Sequence, residues 1–374
     1  MGRTEYHRNN QISKKEKARI AVIGTGWWST YTHIPGLQAY KGADLVALCD
    51  QDEAKLQAAE AEYKVGRTYT DYRDMLDKQP LDGVIVATSH ASHYEIARYC
   101  LEHDLHVMIE KPMTLYARHA KELVELARER QRELLVGYPW HYTATSLRVR
   151  QAIQSGELGA VQYVNCVFAS QIRELLGGQD GSGTKSSVFP VHGPGNIYSQ
   201  PHLSGGGEGH LQVTHSAGLM FFTTGLRPKR VHTLMHNHGL PLDLVDAMTV
   251  EFDGAARGNV GGCGNTGRAS TGKLDLLIFC EDGYVEMDAL TGKSVIHRHN
   301  HDPEYIEPQG ELYPRFATAH NLVDVILGCA ANGSPGEIGW RTVELLDAAY
   351  RSAHADGQAV LIEDLYTMPE GGET

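Results

Sequence analysis

Gly24, Gly26, Asp50 and Lys111 are the residues whose types and spacing could do chemistry, and the chemistry they suggest is hydride transfer. The two glycines lie in A-R-I-A-V-I-G-T-G-W-W-S, where branched apolar residues run into a glycine turn and a helix-like stretch follows. Gly24 lets the chain turn tightly and Gly26 lets the main chain approach a phosphate. The following helix aims free N–H groups and its positive dipole end at that anion. The arrangement is a cradle for the pyrophosphate of a dinucleotide. Ser29 stands where a third glycine is usual, and it is small enough for the helix to pack on the strand. A second apolar run, Leu45–Cys49, ends at Asp50, about two dozen residues past Gly26. An acid there accepts hydrogen bonds from the adenosine ribose hydroxyls, although Asp50 could also cap the next helix. With carboxylates at 50 and 52 and no cation before Lys55, a 2′-phosphate is disfavoured, so NAD is expected rather than NADP.

Lys111 comes just after the apolar run Leu105–Ile109 and Glu110, which aims it into a cleft. Oxidising a secondary alcohol sends hydride to nicotinamide C4 and requires a group to take the hydroxyl proton. Beside a cationic nicotinamide, and partly desolvated, an ammonium is disfavoured, so Lys111 can polarise the hydroxyl and pass a proton. The plain alternative is a surface lysine paired with Glu110. His215 is the candidate general base, because imidazole titrates near neutral pH; its alternative is a satisfied core histidine. Tyr138, Trp140, His141 and Tyr142 follow another apolar run. Their aromatic faces suit the apolar side of a pyranose, or they fill a core between domains.

These residues need elements to hold them. Apolar runs at Leu45–Cys49, Leu81–Thr88, Leu105–Glu110 and Leu134–Gly137 alternate with helical patterns at Ala54–Tyr63, Tyr94–His103 and Ala117–Arg132. Such alternation predicts an α/β fold with a doubly wound parallel sheet of the Rossmann type over 18–140. Its ligand lies outside the carboxyl ends of the strands, at Gly24, Asp50, Thr88, Glu110 and Gly137. Beyond residue 140 the texture changes. A helix at Leu147–Gly156 precedes strand-like runs at Val161–Phe168, Arg230–Met235, Ala247–Phe252, Leu274–Phe279 and Tyr284–Asp288. Several follow one another without helices between, which predicts a second α/β domain over 141–374 with an open, mostly antiparallel sheet. Gly177–Gly207, rich in Gly, Ser, Pro and His, reads as a long loop of the kind that is functional or disordered. Apolar helices are expected at Ala319–Leu327 and Thr342–Ala353.

A chain of 374 residues with 41% hydrophobic content suits two globular domains. Its 34 basic and 46 acidic residues leave a net charge of −12, which disfavours nucleic acid and anionic membrane surfaces as partners. The six cysteines are widely spaced, without metal-ligand or disulfide patterns, as reduced thiols of a cytoplasmic protein would be. The first 17 residues form a polar arm with no secretory apolar core, and no run reaches the ~20 apolar residues of a membrane span. Among 20 histidines, His90, His93, His141, His192, His202, His210 and His215 fall where the cleft is expected. None has a strong metal-site spacing, so polyol hydrogen bonding is expected and no metal.

The chain resembles the Gfo/Idh/MocA family, the glucose–fructose oxidoreductase and inositol dehydrogenase group. I-G-T-G-W-W with Asp50 carries the resemblance first. D-G-V-I-V-A-T continues it through Ser92-His93-Tyr94 to His106-Val107 and Glu110-Lys111-Pro112. Gly205-Gly206-Gly207 with His215, then Asp347-Ala348-Ala349-Tyr350, complete it. The resemblance implies NAD contacts from Trp27, Trp28, Thr88, His93 and Glu110 beside Gly24, Gly26, Asp50 and Lys111. It implies oxidation or reduction of a sugar, glycoside or cyclitol hydroxyl, with Lys111 and His215 catalytic, and a homodimer or homotetramer. The family pattern G-G-G-x-L-x-D-x-G-x-H reads G-G-G-E-G-H-L-Q-V-T-H here, so Leu211 stands in the place of the relay aspartate. Glu208 or His210 could replace that acid, and Gln212 could contact cofactor or sugar. The incomplete relay keeps a second activity open: an NAD-dependent glycoside hydrolase or isomerase that oxidises its sugar transiently and retains NAD. A non-catalytic NAD-binding regulator is disfavoured by the intact Lys111 and His215.

Overall fold

The computed structural model describes residues 16–178, 189–267 and 270–367. Its first sheet contains β1 (Ala18–Ile23), β2 (Ala43–Cys49), β3 (Thr68–Tyr69), β4 (Gly83–Val86), β5 (His106–Ile109) and β6 (Leu134–Val136), in the order β3-β2-β1-β4-β5-β6. Every neighbouring pair is parallel. Ile20, Val22, Val84, Ile85, Val107 and Ile109 have no exposed surface, because helices cover both faces; this is why these strands read as unbroken apolar runs. Helix Ala117–Glu129 buries Ala117, Ala120, Leu123, Val124 and Ala127, a three-to-four-residue rhythm that presents one apolar stripe to the core. Strand order reverses between β1 and β4, which opens the ligand crevice at their carboxyl ends.

The second sheet contains β7 (Val161–Ala169), β8 (Pro228–His236), β9 (Val245–Phe252), β10 (Arg257–Cys263), β11 (Lys273–Cys280), β12 (Gly283–Asp288), β13 (Lys293–Arg298), β14 (Glu304–Ile306) and β15 (Val360–Leu361). Their order is β14-β13-β12-β11-β7-β10-β9-β8-β15. Strands β7 and β10 are parallel, and the other neighbours among the described residues are antiparallel. Met248, Val250 and Phe252 alternate inward against a helical layer that includes Thr214–Thr224 and Gly336–His354. The outward face is open, with Tyr163, Leu234, Phe279 and Tyr305 exposed.

Strand β10 escapes the sequence reading because it is R-G-N-V-G-G-C. Its glycine at 258 is required by packing, since a Cβ there would lie 2.5 Å from the Val164 carbonyl oxygen. The division at residue 140 also needs amendment. Helix Ala317–Ile326 returns to the first sheet, where Ala319, Leu322 and Val323 share a core with Ile20, Val22 and Leu37. Tyr40 Oη donates to Asp324 at 2.6 Å, and His320 stacks on the Tyr40 ring. The stretch 177–207 is not wholly loop, since Ile197–Ser199 and Pro201–Ser204 form short helical turns. Lys185, Ser186 and Ser187 within it lie outside the described residues. No helix among the described residues is long and apolar enough to cross a membrane.

Candidate active site

At the end of β1 the chain turns at Gly24, whose φ is +96° and whose added Cβ would meet the Ala87 carbonyl oxygen at 2.4 Å. A side chain is excluded there twice, by backbone conformation and by the close approach to β4. Gly26 is different, since a Cβ at Gly26 meets nothing within 4 Å and would project into empty space. The helix beyond opens as a π turn, Ser29–His33, and Ser29 is fully buried where it packs. Asp50, at the end of β2, accepts from Thr25 N–H at 2.7 Å, Thr25 Oγ1 at 3.1 Å and Asp52 N–H at 2.9 Å. Asp52, not Asp50, caps the following helix, accepting from Ala54 and Lys55 N–H. Asp50 is thereby held at the crevice and free of capping duty.

One cavity of about 670 Å³ runs along this edge. Gly24, Gly26, Trp27, Trp28, Asp50, Thr88, His93, Glu110, Lys111, Gln212 and His215 all line it. Thr70–Arg73 and Tyr313 line it as well. Open space before Gly26, a carboxylate beyond β2 and a long cavity between them fit a dinucleotide.

Glu110 and Lys111 are neighbours held by different elements. Glu110 Oε1 accepts from His33 Nε2 at 2.7 Å and from the Trp28 indole at 2.9 Å. Burial opposes its charge, but His33 and Lys111 prevail and hold the carboxylate below its ordinary range. Lys111 Nζ donates to the Leu211 carbonyl oxygen at 3.0 Å. Burial pushes its ammonium down to about 8, against an upward pull from Glu110. Leu211 lies in a second π turn, Gly209–Val213, immediately before the helix that carries His215. Such turns carry an extra residue and occur often at functional sites. His215 is 6% exposed, its ring edge-on to Trp140 at 5.3 Å. Burial first, then the charge of Lys111, keeps its pKa well below the ordinary imidazole value, and its Nδ1 has no partner. His215 is therefore a neutral ring at pH 7. The His93 ring lies between the Pro112 and Thr88 carbonyl oxygens, with Nδ1 at 2.9 Å from the first and Nε2 at 3.3 Å from the second, and its one N–H donates to the nearer, Pro112, at the ends of β4 and β5.

Four expected substrate residues do not line the cavity. His141 is 1% exposed, bonds Ser334 Oγ at 2.9 Å and stacks on Phe222, which makes it a core histidine. Trp140 is buried behind His215 and Tyr313 and serves as a wall, not a surface. Glu208 has no exposed surface, and burial with the nearby Asp243 charge raises its pKa to about 9, so it is a neutral acid. His210 is buried against Tyr350, and burial lowers its pKa to about 4. Neither replaces the relay aspartate at the cavity. The Leu211 main chain meets Lys111 instead. Tyr198 and Tyr313 line the cavity and were missed. Each follows a segment without strand or helix rhythm, and no motif marks it. The Tyr313 ring packs edge-on against Trp140 at 4.8 Å and Trp28 at 6.3 Å. Among the described residues no group of three or more His, Cys, Asp or Glu is arranged to hold a metal ion.

Residues 18–138 match the family model described as oxidoreductase family, NAD-binding Rossmann fold, and residues 146–286 match the GFO/IDH/MocA C-terminal domain. D-xylose 1-dehydrogenase [NADP(+)] of Haloarcula marismortui is 26% identical over 44% of this chain and 47% of its own length. Glycosyl hydrolase family 109 protein 1 of Akkermansia muciniphila is 24% identical over 51% of this chain and 44% of its own. The chain thus spans less than half the length of either relative. An inositol dehydrogenase homolog from Azotobacter vinelandii, solved with NAD+, superposes with a TM-score of 0.78 at 18% identity, over 93% of this chain and 98% of that one. That likeness is one of fold.

Proposed function

This chain belongs to the Gfo/Idh/MocA oxidoreductase family, and from that premise we propose that it moves a hydride between NAD and a secondary hydroxyl of a sugar, glycoside or cyclitol. The observation that carries the reading is one cavity shared by the glycine turn, a buried amine with its pKa near 8, and a neutral imidazole. NAD, when bound, accepts or returns hydride at nicotinamide C4. Lys111 Nζ takes the hydroxyl proton, because its pKa lies nearest the working pH. His215, too weak a base to keep a proton, orients the hydroxyl through its unpartnered nitrogen. Gln212 lines the same end and supplies an amide to neighbouring hydroxyls. Asp50 favours NAD over NADP, since a 2′-phosphate would meet its carboxylate. The test is absorbance of reduced nicotinamide while the protein and NAD are offered sugars, cyclitols and aryl glycosides. Stoichiometric reduction by one class supports the reading and names the substrate.

A second reading is an NAD-dependent glycoside hydrolase. Hydride leaves a ring carbon, and the ketone so formed acidifies the adjacent C–H. Loss of that proton expels the aglycone with its C–O electron pair, then water adds and the hydride returns. Tyr198, which reaches over the cavity to bond Trp27, favours it, because such a cycle needs a cofactor that stays. Aglycone release that depends on NAD without net reduction distinguishes the two. A homodimer or homotetramer formed through the open face around Leu234 and Tyr305, and a cytoplasmic location consistent with free thiols at Cys49, Cys100 and Cys166, complete the proposal.

A further inference from the structure

We infer that residues 189–204 of the second domain form a clasp that retains the bound dinucleotide, with Tyr198 and His192 as its holding residues. The inference rests on the reading above that the cavity holds a nicotinamide dinucleotide. A ligand laid across the carboxyl edge of a parallel sheet ordinarily keeps one side toward solvent. Here Ile197, Tyr198 and Leu203 line the cavity opposite the glycine turn.

Contacts from Phe189, His192, Tyr198 and Ser204 fasten this segment to the first domain, at segments that follow β1 and β4. The Trp27 indole donates to Tyr198 Oη at 3.0 Å, and Phe189 sets its edge against Trp27 at 5.5 Å and Tyr31 at 5.8 Å. His90 Nδ1 bonds the Ser204 carbonyl oxygen at 2.8 Å. The His192 ring lies within hydrogen-bonding reach of the Thr25 main chain, beside Asp50, Asp52 and Lys55. Its Nε2 is sealed from solvent with no partner. Tyr198 accepts from Trp27 and keeps its own proton to donate.

Trp27 thus touches the cofactor site on one side and the clasp on the other. A dinucleotide leaves only after the Trp27–Tyr198 bond and the edge contacts of Phe189 open together.

The test follows release of NADH, read as loss of energy transfer from tryptophan when the NADH-loaded protein is mixed with excess NAD. Each of Tyr198→Phe and His192→Ala removes one hydrogen bond, so release is expected to quicken roughly 3- to 10-fold in each and roughly additively in free energy in the double variant. Tyr198→Phe keeps the ring and its packing, so it serves if His192→Ala disturbs the segment; melting temperature checks both. A double variant that releases NADH within twofold of the unaltered chain overturns the clasp and leaves the dehydrogenase reading intact. A chain that binds no NADH overturns both.

Discussion

Replacing Lys111 by Met keeps the aliphatic stem and deletes Nζ, which isolates the acid–base function assigned to it. An amine with its pKa at about 8 is roughly one-tenth neutral at pH 7 and roughly nine-tenths neutral at pH 9. If the neutral amine takes the hydroxyl proton, kcat/KM for oxidation rises about tenfold across that interval and then levels. Reduction needs the ammonium and falls over the same range. His215 adds no bend between pH 6.5 and 9, because burial keeps it neutral there. In Lys111→Met the bend disappears and the rate drops roughly 10²- to 10⁴-fold, the usual reach of a placed acid or base. The Leu211 carbonyl loses its partner, at a stability cost of about 1 kcal/mol, too little to unfold the domain. NAD affinity should change little, since the glycine turn and Asp50 are untouched. The assay is a pH series of initial rates in both directions, with NAD binding by calorimetry at each pH. A bend that persists near pH 8 in Lys111→Met would refute the assignment, because the titrating group would then lie elsewhere.

Asp50→Ala removes an acceptor that anchors Thr25 and lines the cavity; if it also meets the ribose as proposed, the NAD Kd should rise roughly 10- to 100-fold with a smaller change for NADP, and equal Kd values before and after would exclude that contact. Tyr313→Phe removes a hydroxyl from the cavity lining while keeping the ring; KM for a polyol substrate should rise several-fold with NAD Kd unchanged, and an unaltered KM would place Tyr313 outside the substrate site. Glu208 has a folded pKa of about 9, above its unfolded value, so its contribution to stability is complete below about pH 4.5 and is lost as pH rises toward 9. Glu208→Gln should therefore lessen the fall in melting temperature between pH 5 and pH 9; a fall of the same size would mean that Glu208 is already ionised in the folded chain.

The first domain was legible because parallel strands buried on both faces write themselves as apolar runs, and because a turn against β4 admits only glycine at 24. Asp50 and Lys111, read from strand ends, and Gln212 and His215, read from the family resemblance, all line the cavity. Glu208 and His210 were sought as side-chain replacements for an acid at 211, but the group that meets Lys111 is the Leu211 carbonyl, which every residue type possesses. Trp140 and His141 follow a strand end, as expected of site residues, yet the tight turn over Pro139–Tyr142 buries both. Tyr198 and Tyr313 arrive from segments distant in sequence, and only the packing of Trp27, Trp28 and Trp140 shows where they sit.

The bond from Lys111 to the Leu211 carbonyl has a consequence for heredity. A side-chain partner can be erased by one codon change, whereas a main-chain oxygen is encoded by any codon at all. The contact with Lys111 therefore tolerates drift among apolar residues that fill the Leu211 packing site, and its vulnerability moves to residues that set the shape of the turn. Asp243 is the foremost of them, since its carboxylate takes Gly207 N–H at 2.7 Å and Gly209 N–H at 2.9 Å at the start of the turn. Inactivating lesions in this region should accumulate at 243 and at the glycines it grips, while position 211 accepts apolar replacements that keep its packing beside Ile172, Leu176, Leu242 and Leu244.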